Sequence, residues 1–153
     1  MRKSFTVIAF ALAVYFAGAS PVLGATASQK FLTFLTKSTS AMAAINDDME
    51  SSNDALDYEL YGESAYYSSL IVSHAKAQIK WLDKNKPATC YKNAWTWTRK
   101  YAVYIRDAET AAARWLYAWP YGTDADFNIY EKNNRAAIKA LDKAMDYVEA
   151  SNC

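Results

Sequence analysis

The chain has 153 residues, 17 of them Lys or Arg against 16 Asp or Glu, with 52% hydrophobic and 15% aromatic side chains. That length favours one cored domain over two. The balanced charge and high apolar content exclude an acidic disordered segment and a basic nucleic-acid binder.

Met1-Arg2-Lys3-Ser4 is a short basic start, Phe5 to Ala17 is an apolar run interrupted by Thr6, and a small-residue exit begins at Ala19. This is the make-up of a cleaved secretion signal, and the run is shorter than the roughly 18 residues that would span a bilayer. Cleavage after Gly24 separates a signal, 1–24, from a domain, 25–153; a second suitable site follows Ala27. Export to a secreted or periplasmic location is therefore expected, with no membrane span in the mature chain. Without Arg2 and Lys3, the remaining residues carry 15 bases and 16 acids, a formal charge of −1.

After residue 24 only Gly62, Pro87, Pro120 and Gly122 punctuate the chain, and they fall at three places. Between them apolar residues recur every three or four positions, which predicts helices over about 28–60, 64–85, 88–119 and 124–150. Short connections make successive helices antiparallel, so the expected architecture is all-α, an up-down-up-down four-helix bundle. Gly62 is expected to end the first helix in a left-handed conformation, and Thr123 with Asp126 to cap the start of the fourth.

The apolar stripes are expected at Phe31, Leu35, Met42, Ile45, Met49 and Leu56 in the first helix, and at Tyr67, Leu70, Ile71, His74, Ala77 and Trp81 in the second. In the third they are Trp97, Tyr101, Tyr104, Ala108, Ala111 and Trp115, with Trp95, Ala102 and Ile105 beside them. The fourth supplies Phe127, Tyr130, Ala137, Leu141, Ala144, Met145 and Val148. Cys90 opens the third helix and Cys153 follows the fourth. Antiparallel neighbours bring those ends together, which predicts one disulfide in an oxidising compartment.

Counting removes much chemistry. One histidine and two cysteines cannot make a zinc site of three or four His/Cys ligands, and there is no Cys-x-x-Cys-His for covalent haem. A Glu-x-x-His di-iron pair, a glycine-rich phosphate loop and an acidic calcium loop also lack their residues. Glu109, on the apolar side of the third helix, is expected at the stripe's edge, reaching solvent or a lysine. His74 is expected to be a buried core histidine bonded to protein groups. Its alternative is axial ligation of a non-covalent haem opposite Met49 or Met145, as in small exported four-helix cytochromes, a likeness of architecture alone.

The aromatic inventory points elsewhere. Tyr58, Tyr61, Trp115, Tyr117, Trp119 and Tyr121 cluster at the first and third turns, which share one end of an up-down bundle. Trp115, Tyr117, Trp119 and Tyr121 point in several directions and run into a turn, so they cannot all be buried. Tyrosine and tryptophan join large area to a polar handle, which suits recognition of a protein or a small stacking ligand. Seven acids and no base lie from Asp47 to Glu63, and eight bases with one acid lie from Lys76 to Arg106. The expected protein is a non-enzymatic binding module with an acidic aromatic end and a basic opposite end.

Overall fold

The helical periodicity breaks where the turn residues stand. The computed structural model describes residues 25–151 and 153, so the signal reading of 1–24 lies outside the described residues. Four helices follow: α1, Ala25–Asp57; α2, Tyr61–Lys84; α3, Lys92–Tyr117; and α4, Asp124–Glu149, with a 3₁₀ turn at Thr89–Tyr91 leading into α3. Consecutive helices pack in antiparallel pairs, while α4 and α1 contribute to one core cluster without a comparable backbone approach. Among the described residues, no helix is long and apolar enough to cross a membrane.

Cys90 and Cys153 form the expected disulfide, with Cα atoms 5.6 Å apart, inside the range an unstrained bridge requires. Beside it, the Ser28 hydroxyl donates to the Cys153 carbonyl at 2.7 Å, tying the start of α1 to the chain end. The Trp95 indole N–H donates to the Leu82 carbonyl at 3.2 Å across the second turn.

The first turn corrects the role expected of Gly62. The Leu60 N–H donates to the Ala55 carbonyl at 2.8 Å and the Glu59 N–H to the Leu56 carbonyl at 3.0 Å, the paired bonds of a Schellman closure. Its left-handed residue is Glu59, at φ 61°, whereas Gly62 lies inside the first turn of α2. The Cβ of Glu59 in that conformation costs energy that glycine would avoid. At α4 the Asp126 N–H is capped by the Thr123 hydroxyl oxygen, as expected. The Asp126 carboxylate instead accepts from the Thr123 hydroxyl at 3.3 Å and from Arg114 at 2.7 Å.

The core stripe of α2 is rotated from the expected one, whereas α1 buries Met42 and Ile45 as expected and adds Phe34, Ser38, Ser52 and Ala55. On α2 the buried positions are Ser64, Ala65, Ser68, Ile71, Ala75, Gln78 and Leu82; Ile71 alone was expected among them. On α1 they are Phe34, Ser38, Met42, Ile45, Ser52 and Ala55, while Phe31, Leu35 and Met49 pack at the edges. The physical reason is spacing: residues 64, 68, 71, 75, 78 and 82 follow a strict four-three alternation, in which the small Ser64, Ser68 and Ala75 share the helix contact with Ile71, Gln78 and Leu82. Larger apolar groups flank it.

Two serines in this seam satisfy each other. The Ser52 and Ser64 hydroxyls are 2.8 Å apart and buried. Ser38 lies fourteen residues before Ser52, and Gln78 fourteen after Ser64, so the same antiparallel register sets them level. Both are buried, and neither the Ser38 hydroxyl nor either Gln78 amide heteroatom has a hydrogen-bond partner among the described residues. Between these polar levels lies the main apolar cluster, with Met42 and Ile45, Ile71 and Ala75, Tyr101 and Ile105, and Ala137, Ala140 and Leu141. On α4 the expected stripe matches closely.

Candidate recognition site at the aromatic end

Two turns build this end: residues 58–60 between α1 and α2, and 118–123 between α3 and α4. Trp115, in the last turn of α3, is half-buried and tilts against Phe127 of α4 at 5.6 Å between ring centroids. Trp119 sets its ring edge-on to Trp115 at 5.0 Å and stacks on Tyr61, the first residue of α2, at 4.5 Å with 22° between planes. Phe127 continues the series to Tyr130 at 6.2 Å. The rings thus run from the interior out to the surface across three helices. Such offset and edge-on pairs stabilise by about 0.5–1.5 kcal/mol each beyond area burial.

Gly122 makes that approach possible. A Cβ built on it would sit 2.5 Å from the Trp115 carbonyl oxygen and 2.7 Å from Cδ1 of the indole. The turn therefore presses its backbone onto Trp115, and only glycine fits. The Trp119–Pro120 peptide bond in this turn is cis.

Of the six residues singled out in the sequence, Tyr61 and Trp115 are each brought against Trp119. Tyr58, Tyr117 and Tyr121 stand outside the stack, 79%, 63% and 88% exposed. Phe127 and Tyr130 extend the stack inward, and their place in the α4 stripe was the sequence signal for them. Leu60 adds an exposed aliphatic side chain.

The surrounding charge is one-signed. Asp57, Glu59, Glu63 and Asp124 border the rings, and no base lies between residues 55 and 64 or between 116 and 125. Arg114, the nearest base along the chain, is held by Asp126 at 2.7 Å. The last turn of α1 contains no base, and Asp54 and Asp57 stand near it, at the negative pole of the helix, where acids destabilise. Helix stability does not account for that placement.

His74 and Glu109 both differ from expectation, and in opposite directions. The His74 side chain is 44% exposed rather than buried, with Nε2 3.2 Å from Asp48 Oδ2. Ala75, one position on, takes the core place. Partial burial raises the Asp48 carboxyl above the usual range, against the opposing pull of His74. Met49 and Met145 pack against the main core cluster. Among the described residues, no three His, Cys, Asp or Glu side chains gather where they could hold a metal.

Glu109 is buried, not at the edge. Only 6% exposed, it is pushed up to about 7 by burial, against a hydrogen bond from the Ser68 hydroxyl. Tyr101 and Tyr130 are raised by their own burial and, in addition, by the Glu109 charge. The carboxyl thus sits between α2, α3 and α4 without access to the aromatic surface. Comparisons with protein-family models, with curated proteins and with solved structures found no match.

Proposed function

We propose that this is an exported, non-enzymatic recognition module that takes a protein segment or a stacking ligand at its acidic aromatic end. The observation that carries the reading is the Tyr61–Trp119–Trp115 stack, anchored in the bundle at one side and 42% exposed at Trp119 on the other. A stacked ring has already lost its rotamer freedom, so contact with a ligand costs less ordering entropy than on a free side chain. Tyr58, Tyr117 and Tyr121 widen the apolar area, and the acids around them steer oppositely charged groups toward it.

Export is supported by the Cys90–Cys153 bridge, which persists in oxidising compartments, and by the signal-like composition of 1–24. Glu109 has a structural role in this reading, because its carboxyl faces Ser68, Tyr101 and Tyr130 inside the bundle. The test is to identify by mass spectrometry what co-purifies with the exported protein and to measure its binding to variants at both ends. Trp119→Ala and Tyr121→Ala should each weaken binding at least about tenfold, as expected for an aromatic anchor. Unchanged binding in both, with loss on Lys84→Glu and Lys86→Glu, would place the site at the wrong end.

A further inference from the structure

The charge on the bundle is divided more sharply than its near-zero total shows. Ile45, Ile71, Ile105 and Ala137 meet in the main core and mark one level across all four helices. On the aromatic side of that level, residues 45–71 and 105–137 hold twelve acids and four bases. On the disulfide side, residues 25–44, 72–104 and 138–153 hold four acids and eleven bases. The halves carry formal charges of −8 and +7.

Internal pairing leaves these excesses intact. In the acidic half Arg106, Arg114 and Arg135 are each held by a neighbouring carboxylate, so three of its four bases are spent on acids already counted. In the basic half Asp83 is engaged by Arg99 at 2.7 Å, while Lys80 and Lys84 are exposed. A helix of 26 residues is about 39 Å long, several Debye lengths at physiological salt, so the two ends do not cancel each other in solution.

From this complementarity we infer that the occupant of the acidic aromatic end is the basic end of a second copy of the same chain, in head-to-tail association. The inference rests on the reading of the aromatic end as a recognition surface and names its partner. Both surfaces are end faces of one bundle, so their dimensions match. The chemistry of the contact is already used within the chain: the Lys86 ammonium lies 5.2 Å from the Trp95 ring centroid, and Lys100 and Lys143 lie 3.9 Å and 4.4 Å from that of Trp97. Lysines arriving at Tyr58, Trp119 and Tyr121 would meet electron-rich ring faces with carboxylates beside them.

The geometry also sets the strength. With helices about 10 Å apart, the end face of four is about 20 Å across and offers about 400 Å². A stable complex uses about 800 Å² per partner, so the contact is weak, rises with concentration and depends on low salt. It is heterologous and does not close on itself, so chains lengthen rather than stop at two.

Sedimentation velocity over a concentration series tests this. In 10 mM salt the average mass should climb above that of one chain, and in 300 mM it should return to it. Reversing the acidic end (Asp57→Lys, Glu59→Lys, Glu63→Lys) or the basic end (Lys80→Glu, Lys84→Glu, Lys86→Glu) should leave each protein monomeric. Mixing the two variants should restore association through their intact ends. Adding Trp119→Ala to the second should weaken that mixture at least about tenfold, which bare attraction of opposite charges would not show. Circular dichroism and retention of the disulfide confirm folding, and the salt series on the unaltered protein needs no variant. A constant monomer mass at 10 mM, or association that survives reversal of the basic end, overturns the inference. Quenching of tryptophan emission by hexalysine, lost in Trp119→Ala, would then show that the recognition surface stands while the self-partner falls. Absence of both signals removes the two together.

Discussion

The two ends of the bundle are built from the same kinds of residue and finished in opposite ways. At the disulfide end, Phe31, Phe34 and Tyr91 form a mutual cluster with centroids 5.3–6.3 Å apart, and Phe34, Leu82, Tyr91 and Ala94 are buried. The Cys90–Cys153 bridge and the bond from Ser28 close over it. At the other end Tyr61, Trp115, Trp119 and Phe127 are stacked as tightly, yet Tyr58, Tyr117 and Tyr121 remain in solvent. Stacking therefore does not distinguish a core from a site. What distinguishes them is whether another element covers the outer ring.

The largest expected effect comes from opening the closed end. Replacing both cysteines with alanine should destabilise the protein by about 4 kcal/mol, the chain-entropy value for a loop of 63 residues, measured by denaturant unfolding. The aromatic end should keep its exposed surface in the native state of that variant. If both ends loosen together, the division between a stapled end and an open one is incorrect.

A second effect lies between the ends, at Glu109. Its folded pKa of about 7 stands above the ordinary carboxylate value of 4.5, so folding favours the protonated form. The associated stability is fully present below pH 4.5 and is lost as pH rises toward and through 7. The loss reaches roughly 3 kcal/mol by pH 8. Ser68 from α2, Tyr101 from α3 and Tyr130 from α4 surround the carboxyl, and none of them is a cation that would offset it. Glu109→Gln should accordingly gain stability over the unaltered protein as pH rises from 4.5 to 8. A difference that stays constant with pH would show that Glu109 is solvated.

Much of this arrangement was legible in the sequence. The helix count, the antiparallel order and the disulfide follow from the positions of Gly62, Pro87, Pro120, Gly122 and the two cysteines, because breakers act locally. The rotation of α2 and the polar seam positions of α1 were not legible from hydropathy. Ser38, Ser52, Ser64, Ser68 and Gln78 occupy buried places that an apolar count assigns to solvent, and a shift of one residue turns a helix by about 100°. That shift moved His74 out of the core and Ala75 into it. The four-three spacing of 64, 68, 71, 75, 78 and 82 was the available signal. The aromatic residues of the site were readable as a roster, but their stacking depends on Gly122 lying against Trp115, a tertiary contact.

That contact gives the next prediction. Gly122→Ala should cost about 1–3 kcal/mol, as overpacking does, and should displace Trp115 and with it the exposed stack. The disulfide end should be untouched, which near-ultraviolet dichroism and the disulfide's resistance to reduction can separate. The smallest effect should be a gain: Glu59→Gly relieves a left-handed residue with a Cβ and should stabilise by about 1 kcal/mol. A loss there would mean that the Glu59 side chain contributes more to the turn than its backbone costs.

The division of labour between the ends is tested most directly by hydroxyl-radical footprinting of the protein at low salt and at high concentration, where a bound partner would cover one end, compared with the same protein dilute in high salt. Tyr58, Tyr117, Trp119 and Tyr121 should be protected in the first state, with Phe34 and Tyr91 unreactive in both because they are buried already. Equal reactivity of the four exposed aromatics in the two states, together with protection confined to residues 80–92, would contradict it.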